Sequence, residues 1–169
     1  MSNKFFQNGF TLVELLITLI IVGVIVSIAI PSFQSTIASN SVSFSRDEFF
    51  TVLNYARSEA IKSGSSVTIC KSSNTSSCDN SLLWNDGWLV FTDSNQDGNV
   101  DPDDRILRSL SALEGAVSMS HGGGADRITF NSRGISLNGD GVITFAHASD
   151  NKYDRTVDLS VTGRPRKGS

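Results

Sequence analysis

The clearest pattern along the chain is an unbroken apolar run. From Phe10 to Ile30 it reads FTLVELLITLIIVGVIVSIAI, with a single ionisable side chain, Glu14. As a helix this run is about 30 Å long, the thickness of a bilayer's hydrocarbon core. Past Pro31 the pattern becomes amphipathic. Val42, Phe49, Leu53, Ala56 and Ala60 recur at three- and four-residue steps, and Phe50, Val52 and Ile61 widen the stripe. This spacing predicts that the helix continues over 31–64, with its stripe packed on a sheet. Pro31 is expected to kink it or break its hydrogen bonding locally, and Gly64 to cap its end.

After Ser65 the pattern changes to short runs separated by turns. Val67–Cys70, Trp88–Thr92, Ile106–Leu110, Ala116–Met119, Arg127–Asn131, Val142–Ala146 and Thr156–Val161 are β-prone runs between turn signals. Gly122-Gly123-Gly124 and Asn138-Gly139-Asp140-Gly141 read as turns or loops. Trp84 and Trp88 flank a turn and are expected at the sheet edge. The predicted fold is α+β: one long N-terminal helix, its first half in a membrane, packed on an antiparallel sheet. The layout is a leader over 1–9, a membrane half over 10–30, an amphipathic half over 31–64, a β-rich globular domain over 65–162 and a flexible basic tail over 163–169.

The formal charge of −3 over 169 residues gives no global basic balance, so any nucleic-acid binding must come from a local patch. Two cysteines, Cys70 and Cys78, have a spacing that fits a small loop closed by a disulfide in an oxidising compartment. Two free thiols are the cytosolic alternative. His121 and His147 have no Ser–Asp or metal-ligand setting, so no catalytic constellation is present and the chain does not read as an enzyme.

Glu14 needs a reason, because a carboxylate at that depth costs about 2.5–3.5 kcal/mol. A plain anchor or an ordinary secretory signal leaves it unexplained. The leader carries Lys4 and ends in Gly9, directly before the apolar run. The string Gly9-Phe10-Thr11-Leu12-Val13-Glu14 resembles the processing motif of type IV prepilins and pseudopilins. The resemblance implies that a prepilin peptidase cuts after Gly9 and that the new amino group of Phe10 is N-methylated. It also implies that Glu14 pairs with the terminal amine of a neighbouring subunit during assembly. Tyr55-Ala56-Arg57-Ser58-Glu59-Ala60, Gly87-Trp88-Leu89-Val90-Phe91-Thr92-Asp93 and Ile128-Thr129-Phe130 followed by Gly134 resemble the GspH/FimT branch of that family, most closely its FimT-like members. This implies a minor subunit in the bacterial inner membrane, single-pass, with its globular domain in the periplasm and with other major and minor pilins as partners.

Two further segments carry candidate chemistry. Asp93, Asn95, Asp97, Asn99, Asp101 and Asp104, with Gly98 at the turn and Val100 at the apolar place, have the spacing of a calcium loop. The terminal Asp104 is a shorter arm than the usual Glu. No cofactor is required by this reading, and the alternative is a solvated loop held by Asx turns. At the other end, Arg164, Arg166 and Lys167 form a cationic cluster without acidic neighbours. Arg155 is a further candidate if it lies near. Gly163-Arg164-Pro165-Arg166 resembles a Gly-Arg-x-Arg tail of FimT-like minor pilins, which implies nonspecific double-stranded DNA binding in natural transformation. The alternative is a structural minor pilin or secretion pseudopilin that primes filament assembly without touching DNA.

Overall fold

The structure, a computed structural model, describes residues 10–113 and 116–168. The leader 1–9, Gly9 included, and Ser169 lie outside the described residues. The described chain forms one α-helix, α1 (Leu12–Ser63), and strands β1 (Val67–Lys71), β2 (Gly87–Thr92), β3 (Ile106–Ser111), β4 (Val117–His121), β5 (Arg127–Phe130), β6 (Ser136–Asn138), β7 (Gly141–His147), β8 (Arg155–Leu159) and β9 (Pro165–Gly168). The chain divides into two compact units, with the boundary between Ile37 and Ala38.

The first unit is the apolar helical segment. Its large side chains from Leu12 to Ile30 are exposed, and it is long and apolar enough to cross a membrane. Thr11 caps the start, its Oγ1 accepting the Glu14 N–H at 3.2 Å. The hydroxyls of Thr18 and Ser27 donate to the carbonyls of Leu15 at 2.8 Å and Val24 at 2.7 Å. The hydroxyls within the apolar run are therefore satisfied inside the helix, as lipid requires. The helix continues through Pro31. Proline removes one i→i−4 bond, but helix-forming turns on both sides carry the element past it.

In the second unit the predicted apolar stripe is the core. Val42, Phe49, Val52, Leu53, Ala56 and Ala60 are all buried, while Ile61 stays exposed. Gly64 ends the helix at φ 67°, as its cap position predicts. Instead of one sheet there are two: a five-stranded antiparallel sheet in the order β3-β2-β1-β5-β6 and a four-stranded one in the order β4-β7-β8-β9. Ile69, Val90, Ile128 and Phe130 from the first and Ile143, Phe145, Val157 and Leu159 from the second join the helical stripe in one cluster. Phe49 lies at its centre, edge-on to Trp84 and Trp88 at 5.8 and 6.1 Å. Both tryptophans are thus core residues, not the edge residues their turn-flanking positions suggested. The Trp84 indole N–H donates to the Ala125 carbonyl at 2.9 Å, which satisfies its buried polar atom.

A second, smaller cluster lies on the back of the five-stranded sheet. Cys70, Leu89 and Phe91 are buried there beneath Cys78 and Val100. The disulfide Cys70–Cys78 is formed. The sheet thus buries both faces, which explains the near-continuous burial of β1 and β2.

The C-terminus differs most from expectation. The segment read as a flexible tail is strand β9, paired antiparallel to β8 with Asp158 opposite Arg166 and Val157 opposite Lys167. Gly163, Pro165 and Gly168 argue against a helix there, but not against an extended strand. The turn at Ser160–Gly163 closes with the Gly163 N–H on the Ser160 carbonyl at 2.8 Å, and the Ser160 N–H donates to the Arg164 carbonyl at 3.2 Å. Backbone groups in an antiparallel pair alternate direction, so residues 164, 166 and 168 bond toward β8. Pro165 falls where an N–H would point outward, and its missing donor costs nothing on an edge strand.

Candidate nucleic-acid interface and acidic loop

The alternation of β9 divides its cations between two faces. Lys167 shares the inner face with buried Val157. Its Nζ pairs with Asp47 of α1 at 3.0 Å and lies 5.0 Å from the centre of the Phe50 ring. Arg46 also donates to Asp47, at 2.8 Å. The Arg46 guanidinium, with Lys167 adding a second hydrogen bond, holds the Asp47 carboxyl below the usual carboxylate range. Lys167 therefore fastens β9 to the helix. Arg164 and Arg166 are exposed on the outer side, and among the described residues neither has an acidic partner within ion-pair distance.

Gly163, expected among the DNA contacts, is buried in the turn at φ 73°. A Cβ there would stand 2.0 Å from the Gly134 carbonyl oxygen. Gly134 ends a second turn, its N–H donating to the Asn131 carbonyl at 2.8 Å. The two turns abut, and the Arg57 side chain of α1 lies against both. Its Nε donates to the Gly134 carbonyl at 2.9 Å and stands 3.3 Å from where a Gly163 Cβ would be. The Ser136 N–H donates to the Val161 carbonyl at 3.1 Å and ties the two sheets together at this corner. Three separate stretches of sequence, around Arg57, Gly134 and Gly163, thus converge on one point. Arg133 is also exposed beside it. Sequence reasoning missed Arg57 and Arg133 as part of a basic surface, because both lie far from Arg164 along the chain. The only signal was two turn motifs that each carry an arginine next to a glycine. Arg155 does not join them. It lies about 17 Å from Ser160 along β8 by strand rise, and its Nη1 donates to the Asp154 carbonyl at 2.8 Å.

The acidic loop is built from its own hydrogen bonds. Fully buried Asp93 accepts from the Thr68 hydroxyl at 2.6 Å and from the Gly98 N–H at 3.2 Å. Asp97 accepts from the Asn99 N–H at 2.8 Å, Asp104 from the Asp101 N–H at 3.0 Å, and Asp101 from the Asn95 amide at 2.9 Å. Arg127 packs under Gly98 and donates to the Asp97 carbonyl at 2.5 Å. Among the described residues no three acidic, His or Cys side chains converge on a metal position. The loop's visible work is to fold Val100 over Phe91.

His121 is likewise used in a turn, its Nδ1 accepting the Gly123 N–H at 3.0 Å and its Nε2 meeting the Gly139 carbonyl at 2.9 Å. Glu14 is exposed in the first turn of α1, and Phe10 precedes it.

Comparison with known proteins settles the family. Residues 45–163 match the family described as type II transport protein GspH, and residues 4–30 match the prokaryotic N-terminal methylation motif. The chain belongs to the GspH family. A fimbrial protein of Pseudomonas aeruginosa is 34% identical over 119 residues, 66% of this chain and 76% of that protein. The type IV major fimbrial protein FimA of Dichelobacter nodosus is 50% identical over 40 residues, 24% of this chain and 26% of its own length. Among solved structures, the minor pilin FimU of P. aeruginosa superposes with a TM-score of 0.63 at 17% identity, covering 77% of this chain and 90% of that one. The minor pseudopilin EpsH of Vibrio cholerae superposes with a TM-score of 0.53 at 14% identity, covering 76% and 97%. The long helix with an antiparallel β domain is the type IV pilin-like fold, and the chain is a pilin or pseudopilin subunit.

Proposed function

We propose that this GspH-family subunit is a minor type IV pilin that binds extracellular double-stranded DNA nonspecifically for uptake in natural transformation. The observation that carries the reading is the placement of Arg164 and Arg166. Both are exposed on the outer side of an ordered edge strand and free of carboxylate partners among the described residues. Guanidinium groups take phosphate oxygens in bidentate fashion, and a rigid strand presents them with less ordering cost than a loose tail would. The domain sits in the periplasm, anchored through the inner membrane by the Phe10–Ile30 segment. Prepilin peptidase processes it at Gly9, and Glu14 directs it into the filament. A mobility-shift assay tests the reading: the full-length protein in neutral detergent retards duplex DNA, and the Arg164→Gln/Arg166→Gln variant retards it at least several-fold less. Equal retardation by both proteins removes the proposal.

A second reading, a structural subunit priming pilus or secretion-pseudopilus assembly without DNA, is favoured by a different observation. Ile61, Ile135, Leu137 and Val161 remain exposed near the same turns, an apolar surface suited to a neighbouring subunit. A deletion that abolishes piliation would favour it, whereas loss of transformation with intact pili would favour DNA capture.

A further inference from the structure

We propose that Arg57, Arg133 and Arg164 form a phosphate-binding corner for a nucleic-acid backbone, built on the two abutting glycine turns; the proposal rests on the DNA reading above and extends it to residues outside the C-terminal motif. The argument begins with Arg57. It is half-buried, and its Nε is committed to the Gly134 carbonyl. Among the described residues no carboxylate lies within ion-pair distance of it, nor of Arg133 or Arg164. The acidic residue closest in sequence, Glu59, is engaged by Arg105 at 3.3 Å and Lys62 at 3.8 Å. Asp158 stands across from Arg166, on the outer face of β8, without an ion pair. A guanidinium held in place with its Nη groups unpaired is a pre-organised anion site, because little side-chain entropy remains to be lost on binding.

The turns supply the other two cations. Arg133 directly precedes Gly134 and Arg164 directly follows Gly163, and the two glycines are in backbone contact. With Cα atoms 3.8 Å apart along the chain, the Arg133 and Arg164 Cα atoms lie within about 13 Å of each other. Duplex DNA carries one charge per ~1.7 Å of axis, so a backbone crossing this corner meets all three groups. Three like charges brought together without counter-ions repel one another, and a phosphate bridging them removes that cost. The contacts are to phosphates alone, so they carry no base preference.

Fluorescence anisotropy with a labelled duplex, read over a series of salt concentrations on the full-length protein in neutral detergent, tests the proposal. Arg133→Gln is the informative variant, because the Arg133 side chain is exposed and makes no hydrogen bond or ion pair in the described structure, so its replacement is expected to leave the fold unchanged. Lys152→Gln removes the same charge beyond the opposite end of β8. The expected result is that Arg133→Gln weakens binding about 3- to 10-fold and lowers the log–log salt slope by about 1, with an unchanged melting temperature, while Lys152→Gln leaves the slope as it was. If the wild-type protein binds DNA, Arg164→Gln/Arg166→Gln weakens it and Arg133→Gln does not, the corner is overturned and the DNA reading stands. If Lys152→Gln lowers the slope as much as Arg133→Gln, binding is diffuse and the corner is again overturned. If the wild-type protein does not bind, the DNA reading and the corner fall together.

Discussion

Single residues hold the C-terminal corner together, and Gly163 is the most exacting. An alanine there would put a methyl group 2.0 Å from the Gly134 carbonyl at a φ of 73°. The left-handed backbone alone costs about 1–2 kcal/mol for a residue with a Cβ, and the clash adds to it. Gly163→Ala is therefore expected to lose more than about 2 kcal/mol, seen as a fall in melting temperature of roughly 4–8 °C. An unchanged melting temperature would mean the two turns are not in contact. Asp47 offers a second residue-scale test. Its carboxyl is held low by Arg46 and then Lys167, so the stabilisation it lends β9 is present above the ordinary carboxylate pKa of about 3.9. That stabilisation is lost as pH falls through the lower folded value. The protection of β9 amides, taken relative to the intrinsic exchange rate at each pH, is expected to fall on acidification below about pH 4. In Asp47→Asn that protection is expected to be low already at neutral pH.

At the scale of elements, two loops do the same job from different chemistries. The Cys70–Cys78 loop and the Asp93–Asp104 loop together cover the back of the five-stranded sheet. A disulfide closing a loop with a sequence separation of 8 is worth about 2.5 kcal/mol on the chain-entropy account. Reduction is expected to lower the melting temperature and to expose Phe91, read as increased binding of a hydrophobic dye. The acidic loop has the spacing of a calcium site, but Asn95, Asp101 and Asp104 are engaged in bonds within the loop, Asp93 Oδ2 is engaged by Thr68 while its Oδ1 has no partner among the described residues, and Arg127 lies against the turn. An ion would have to draw Asn95, Asp101 and Asp104 away from those partners. Calorimetric titration is expected to give no heat at millimolar calcium; a clear binding isotherm would show that the loop refolds around the ion. The seven strands read from β-prone runs between turn signals are all present. The two that were missed, β6 and β9, are short edge strands carrying Asn, Pro or Gly. Their pairing comes from a neighbouring strand rather than from local propensity.

At the scale of the whole molecule, each compact unit has its own role. The second unit contains every residue of the main buried cluster, from Ala38 to Leu159. A chain beginning at Ala38 is accordingly expected to unfold in one cooperative transition, tested by thermal melts followed by two probes. The first unit adds no residue to that cluster and carries Glu14. Glu14→Ala is expected to leave membrane insertion intact, since removing a carboxylate favours lipid, but to reduce recovery of the protein in sheared filaments. Normal filament recovery would remove Glu14 from the assembly role.

The sequence alone determined how this protein is mounted and what kind of domain it carries. The apolar run with its one carboxylate, the 3.6-residue stripe of α1 and the short β-prone runs between turns are local patterns. Their physics acts between near neighbours, so they can be read in order along the chain. Only the tertiary structure decided what the basic terminus is. Pro165 and Gly168 look like a loose end until β8 supplies the partner that makes them an edge strand. Lys167, read with the other cations, turns inward to Asp47 because alternation in that strand leaves it no other side. Arg57, Gly134 and Gly163 meet only because two sheets and a helix close on one corner, and the electrostatics of a surface depend on distances in space that sequence separation does not encode.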